Sequence, residues 1–180
     1  LNLIKTKIED LVLIQPDVFP DARGYFYESF QKEKFRNLGI NVDFVQDNES
    51  MSQGNVLRGL HFQKPPFAQG KLVRVVRGSV LDVAVDLRKG SKTYGKWKSS
   101  VLSAANKLMM WIPEGFAHGF LTLEDDTIFQ YKCTNFYNKE SESGIIWNDP
   151  DLQIIWGNDN PLVSEKDLKG MRFKDLKSPF

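Results

Sequence analysis

From residue 44 to residue 134 the sequence is a succession of short runs rich in Val, Ile, Phe, Tyr and Trp, cut at close intervals by Gly, Pro, Asn and Asp. Such runs are too short for ordinary helices, and β-branched and aromatic side chains fit the pleated strand. Strands are expected over 44–46, 56–60, 71–77, 80–87, 97–102, 108–112, 116–123 and 127–134. Many short strands with turn chemistry between them predict an all-β chain folded as a sandwich or jelly roll. Upstream, 5–14 reads as one strand ended by Pro16, which cannot continue a central ladder. After the turn FPDARG, the segment YFYESF (25–30) has strand propensity, with Glu28 set unusually between Phe26 and Phe30. Helix is expected over 31–38, where Phe35 and Leu38 share a face and Gly39 is the stop, and as one capped turn after Ser164 in SEKDLKG.

The runs 71–77 and 80–87 flank Gly78 and Ser79, the sign of a hairpin with a tight turn. The two-residue strand period puts Lys71, Val73, Val75 and Arg77 on one face of the first run and Leu81, Val83, Val85 and Leu87 on a core face of the second. The other face of the second run carries Val80, Asp82, Ala84 and Asp86. Acids interleaved with small residues there imply either a polar cavity or a second wet face. Trp111, Trp147 and Trp156 read as core or interface packing.

With 180 residues the chain is long enough for one domain, 1–180, with a substantial core. Its 24 basic and 23 acidic residues are spread along the chain for a net charge of +1, which argues against nucleic acid or a membrane surface as partner. Any phosphate binding is therefore local. The single cysteine, Cys133, cannot form an internal disulfide, and no apolar run approaches the roughly 20 residues of a membrane span. A cytoplasmic location is expected. The chain opens at Leu1 rather than at a methionine, so a few residues are expected to precede it.

Chemistry concentrates around two histidines, His61 in VLRGLHFQ and His118 in PEGFAHGF. A lone histidine is more often structural than catalytic. Here Arg58, His61 and Lys71 fall on strands expected to be neighbours, and a base beside two cations suits an anionic intermediate. Tyr131 shares an inward face with Phe129 and Cys133, and a phenol pointing inward must find a partner, backbone or catalytic. The PxGxxH pattern of Pro113 to His118 resembles the second motif of the cupins, whose fold is a double-stranded β-helix or small jelly roll. Many cupins bind metal through an HxH and a glutamate of the first motif. Here Gln63 stands two residues after His61 and Lys71 stands in the glutamate's place, so the resemblance implies a cupin-like scaffold, with one or a few short helices, that carries no metal.

DARGYFYESF, FVQDNES, VLRGLHFQ, AQGKLVRVVRGSVLDVAVDLRKGS, YGKW, WIPEGFAHGF, YKCTNFY, GIIWNDPD and SEKD, in that order, closely resemble the dTDP-4-dehydrorhamnose 3,5-epimerase family over nearly the whole chain. The resemblance implies that His61 accepts a proton, Tyr131 donates one, Asp167 orients His61, and Lys71 is the cation near the sugar ketone. It further implies that Arg23, Glu28, Gln46, Asp47, Asn48, Arg58, His118, Glu142 and Lys166 hold the nucleotide sugar, and that Tyr137 stacks on the thymine. The substrate so implied is dTDP-4-dehydro-6-deoxy-D-glucose, inverted at C3 and C5 on the way to dTDP-L-rhamnose, with no cofactor. A homodimer is also implied, in which an N-terminal strand carries Arg23 and Glu28 to the partner's site.

Inverting a carbon beside a ketone needs a base on one face, a proton donor on the other, and positive charge where the enolate oxygen forms. His61, Tyr131 and Lys71 are the residue types for those tasks. Three other readings stay open on sequence: a metal-dependent cupin, disfavoured by the missing ligands; a non-catalytic nucleotide-sugar-binding cupin, which has no use for the His, Lys and Tyr trio; and a relative that inverts one carbon only or isomerises a related 4-keto sugar nucleotide.

Overall fold

A computed structural model describes all of residues 1–180. In chain order the elements are β1 (Asn2–Lys5), β2 (Val12–Gln15), β3 (Phe19–Asp21), β4 (Gly24–Phe26), α1 (Lys32–Asn37), β5 (Gln46–Ser52), β6 (Val56–Gln63), β7 (Lys71–Arg77) and β8 (Ser79–Asp86). There follow β9 (Trp97–Ser103), β10 (Met109–Ile112), β11 (Phe116–Thr122), β12 (Thr127–Cys133), β13 (Glu142–Gly144), β14 (Leu162–Val163), α2 (Glu165–Leu168) and a 3-10 turn, Phe173–Asp175. Two sheets face each other, one ordered β1-β2-β10-β7-β12-β5 and the other β13-β6-β11-β8-β9, with β14 parallel to β6. The jelly roll, one of the two all-β folds expected from the strand spacing, is what forms, with the cupin-like scaffold that the PxGxxH resemblance implies. No helix is long and apolar enough to cross a membrane.

The expected hairpin of residues 71–77 and 80–87 does not form. β7 pairs with β10 and β12, whereas β8 pairs with β11 and β9, so at Gly78 the chain passes from one sheet to the other. Gly78 has φ +76°, and a Cβ there would sit 2.3 Å from Thr127 Oγ1, so the corner admits only glycine. The physical reason for the crossover is that β8 is apolar on both faces. Val80 and Ala84 pack inward with Val73, Val75 and Phe129, while Val83, Val85 and Leu87 pack outward under Ile145, Leu152 and Trp156 of the C-terminal segment. A flat hairpin would leave one of those faces wet. A Gly-Ser step between β-branched runs is compatible with either outcome, and burial on both faces decides between them.

Other departures are local. The single strand expected over 5–14 is a hairpin of β1 and β2, because the Thr6 hydroxyl accepts the Ile8 amide and donates to the Leu11 carbonyl at 2.7 Å, folding the chain back. Of YFYESF only Tyr25 and Phe26 are in a strand, and β3 with β4 makes a two-stranded ribbon separate from both sheets. The helix forms as expected, capped by the Gln31 side chain, with Phe35 buried. Trp111 and Trp156 are core residues, as expected, and Trp147 packs against the cluster that holds Trp156. The short strands β13 and β14 were not expected; both lie along the edge of β6 that does not face β11, and with α2 they bring the C-terminal segment to that strand.

Candidate active site

The interior between the sheets is apolar at one end and polar at the other. At the polar end β6 and β11 run antiparallel with His61 opposite His118. Close approach of the two strands depends on glycine. Gly59 has φ +131°, and a Cβ on it would lie 2.5 Å from Gly119 Cα, which is the physical content of RGLHF and AHGF. Without a side chain, Gly59 also presents its amide to Asp167 Oδ2 at 3.1 Å.

Asp167 reaches this point from α2, whose N-cap Ser164 accepts the Asp167 amide. Its other oxygen, Oδ1, is 2.6 Å from His61 Nε2, and the carboxylate is only 5 % exposed against 33 % for the imidazole. Burial pushes the Asp167 carboxyl up, but the hydrogen bond and charge of His61, the Gly59 amide and Lys166 outweigh it and hold the group below the usual carboxylate range. An ionised Asp167 accepts the Nε2 proton and leaves Nδ1 of neutral His61 as the lone-pair nitrogen. His61 is thus an oriented base.

Facing it is a cavity of about 760 Å3 whose lining includes Arg58, His61, Lys71, His118, Tyr131, Glu142, Lys166 and Asp167. Lys71 enters from β7 with its ammonium 6.0 Å from the Tyr131 ring centroid, and no carboxylate pairs with it. Burial pushes that ammonium below its ordinary value, against the opposing charges of Asp82 and Glu142. The Tyr131 phenol is pushed up, chiefly by burial, so it holds its proton. Arg58 is braced through Nε on Ser52 Oγ at 3.1 Å. His118 Nε2 stands 2.9 Å from Asp82 Oδ2, and burial lowers the imidazole below its ordinary value despite that carboxylate. Glu142 accepts the Tyr137 hydroxyl at 3.0 Å and pairs with Lys166.

Five of the other expected residues stand beside this cavity or away from it. Gln46 and Asn48 share the inward face of β5; Gln46 accepts the Tyr137 amide at 2.9 Å and donates to Asn48. Strand alternation turns Asp47 to the opposite face of the sheet, where it pairs with Lys132 at 2.9 Å, so its side chain does not enter the cavity. Arg23 and Glu28 are not brought in either. Arg23 is 90 % exposed and paired with Asp21 of its own ribbon, and Glu28 pairs with Lys34 of α1. A smaller groove of about 340 Å3 on the outer face of the first sheet is lined by Asp47, Glu49, Arg74, Gln130 and Lys132, but its polar groups are spent on one another.

Asp82 and Ser52 were missed as site residues. The acid at alternate positions of β8 was the signal for Asp82, and it resolves in favour of a polar cavity. Asp86, its neighbour on the same face, instead anchors Arg88, Ser91 and Thr93.

The metal centre of a typical cupin does not fit these residues. His61 and His118 each spend Nε2 on a carboxylate, and the Gln63 amide donates to the Phe67 and Phe136 carbonyls at 2.6 and 3.1 Å while accepting the Asn138 amide. Lys71 adds a positive charge where a divalent cation would need an anion. No three His, Cys, Asp or Glu side chains converge.

Residues 5–175 match the family model described as dTDP-4-dehydrorhamnose 3,5-epimerase. The enzyme of that name from Shigella flexneri is 54 % identical over 176 residues, covering 97 % of each chain. Among solved structures, the one from Elizabethkingia anophelis superposes with a TM-score of 0.94 at 52 % identity over 98 % of each chain. The dTDP-6-deoxy-D-glucose-3,5-epimerase of Legionella pneumophila, solved with dTDP-4-keto-L-rhamnose, superposes with a TM-score of 0.94 at 48 % identity, covering 97 % of this chain and 94 % of that one.

Proposed function

The chain belongs to the dTDP-4-dehydrorhamnose 3,5-epimerase family, and from that membership we propose how its cavity converts dTDP-4-dehydro-6-deoxy-D-glucose to dTDP-4-dehydro-L-rhamnose. His61 Nδ1 removes the proton from a carbon next to the C4 ketone. The bond electrons move into an enolate whose oxygen is stabilised by the Lys71 ammonium. Tyr131 returns a proton to the carbon from the opposite face, which inverts it, and solvent restores both groups. Because C3 and C5 are both alpha to the same ketone, one base, one acid and one cation serve both inversions if the ring reorients in the pocket. Asp167 keeps His61 in its basic tautomer and stabilises the imidazolium that forms. Donors aimed at the developing oxyanion are worth on the order of 3 kcal/mol each.

The observation that carries this reading is one cavity lined by an imidazole oriented through a buried carboxylate, an ammonium with no carboxylate partner and a protonated phenol. At its nucleotide end, Arg58 and Lys166 suit the diphosphate, Glu142 and Gln46 supply hydrogen bonds, and the exposed Tyr137 ring is a platform for thymine. A coupled assay tests the reading: with dTDP-4-dehydro-6-deoxy-D-glucose, this protein should generate a product consumed by an NADPH-dependent reductase specific for the L-lyxo 4-keto sugar. No NADPH oxidation at any protein concentration would refute it. Chelator treatment should leave that rate unchanged, since no step needs a cation that these donors hold; activity lost to chelator and regained with zinc, iron or manganese would contradict the mechanism.

We further propose that the active unit is a homodimer in which the β3–β4 ribbon reaches the partner's cavity. The ribbon is isolated from both sheets and exposes Phe19, Tyr25 and Phe26, each at about 60 %, an apolar surface that a lone chain would leave in water. Arg23 lies in the turn of the same ribbon, and Glu28 follows it by two residues. Light scattering should report twice 20.7 kDa, and Phe26→Asp should give a monomer with activity reduced at least tenfold. A fully active monomer at micromolar concentration would overturn the proposal.

A further inference from the structure

Asp82 has no role in the mechanism above, yet it is the most deeply buried acid at the cavity, with a side chain 0 % exposed. Oδ2 holds His118, and Oδ1 is the one buried side-chain polar atom in the protein without a hydrogen-bond partner. A buried carboxylate oxygen left unpaired is costly, and asparagine of the same shape would avoid placing a charge there. Nothing about packing requires the acid: its neighbours on the same face of β8 are Val80 and Ala84. What the position does face is β7: Val80 and Ala84, on either side of Asp82, pack in one core with Val73 and Val75, on the strand face that also carries Lys71.

We propose that Asp82 is a positioning residue that acts as a remote counter-ion, keeping the Lys71 ammonium charged inside the cavity while leaving its donors free for the substrate oxygen. The groups around Lys71 are Cys133 and Tyr131 from β12, Asp82 from β8, His61 and Arg58 from β6, His118 from β11 and Glu142 from β13. Arg58 is a cation, His61 gains positive charge during turnover, and Tyr131 and Cys133 hold their protons because burial raises both. That leaves the carboxylates, of which Asp167 is spent on His61. Glu142 is already engaged by Lys166 and Tyr137, so Asp82 is the anion whose charge is least spent elsewhere. A direct Asp82–Lys71 pair would hold the ammonium charged but occupy it. An acid that forms no ion pair with Lys71, with one oxygen tied to His118, supplies the field without the contact. The same bond holds His118 with its Nδ1 lone pair free.

The inference rests on the reading of Lys71 as the enolate-stabilising cation, and its test separates the two. Activity that needs Lys71 protonated is lost as pH rises through the Lys71 pKa, and removing a nearby negative charge moves that loss to lower pH. Asp82→Asn should therefore shift the basic limb of kcat downward by about one pH unit or more, with dTDP affinity unchanged, and Asp82→Glu should restore part of the shift. A uniform fall in kcat with the limb unmoved would overturn the proposal, since loss of His118 orientation alone would do that. The wild-type enzyme gives a second reading that does not depend on a variant folding or on catalysis. In 13C-lysine-labelled protein, with Lys71→Arg used only to assign the signal, Lys71 should be protonated at pH 8. A neutral Lys71 at that pH would overturn the counter-ion role even if the family reaction proceeds, whereas a Lys71→Met variant at full rate would remove the reading of Lys71 itself.

Discussion

His61→Asn should lower turnover by roughly 10³-fold or more, within the range that a positioned general base supplies, while dTDP affinity changes little. The expectation comes from the geometry of the dyad. Nε2 is held 2.6 Å from an ionised, buried Asp167, so only Nδ1 is left to take a proton, and asparagine offers no basic nitrogen at all. The other candidates along the cavity are weaker bases: Glu142 is paired with Lys166, and burial holds the His118 imidazole below its ordinary value. Asp167→Asn should hurt less, because the imidazole remains, but the basic tautomer is no longer enforced and the imidazolium loses its counter-charge. A His61→Asn protein with a tenth of the wild-type rate would sink the assignment. Stopped assays of both variants at saturating substrate, beside dTDP titration by calorimetry, separate loss of chemistry from loss of binding.

Tyr131→Phe should divide two events that the wild-type enzyme couples. With the phenol gone, His61 can still remove a proton and Lys71 can still hold the enolate, so exchange with solvent at the face of His61 continues. Inversion requires a proton from the other face, and it should fall on the order of 10²-fold or more relative to exchange. The phenol suits the task because burial pushes its pKa up: it stays protonated at working pH and yields its proton only to a strongly basic carbon. The removed hydroxyl makes no hydrogen bond to another side chain or backbone group, so the variant should remain folded. Measuring deuterium incorporation into recovered substrate beside formation of inverted product reads the ratio directly. Exchange and inversion lost in parallel would mean that Tyr131 serves the enolate rather than protonating it.

The strands were legible because β-branched runs punctuated by turn residues have few alternatives, and His61, His118 and Lys71 stood out as cavity residues because they interrupt those runs. The sheet switch at Gly78 was not legible. A glycine-serine step between apolar runs encodes a sharp change of direction, and whether the second run returns beside the first or crosses to the facing sheet depends on the C-terminal segment that covers Val83, Val85 and Leu87. That cover comes from residues 145–156, about 60 positions downstream. Asp167 illustrates the same limit. It sits 106 residues from His61, and no local pattern pairs them; family resemblance pointed to it, and the capped turn at Ser164 with the Gly59 amide gives the physical account. For Asp47 the resemblance named three adjacent positions, but a strand presents alternate ones, so Gln46 and Asn48 face inward while Asp47 turns away. Arg23 and Glu28 lie on a ribbon that finds no place in its own sheets, and where they act is a property of the assembly rather than of one chain.

The central claim is that one base, one acid and one cation serve both carbons flanking the ketone. Proton NMR of dTDP-4-dehydro-6-deoxy-D-glucose incubated with the protein in heavy water tests it most directly. The C3 and C5 proton signals should both disappear as product forms, each replaced by deuterium, and His61→Asn should abolish both losses together. One signal surviving many turnovers would contradict the account and make the protein a single-carbon epimerase; loss of both signals that persists in His61→Asn would show that two separate bases do the work.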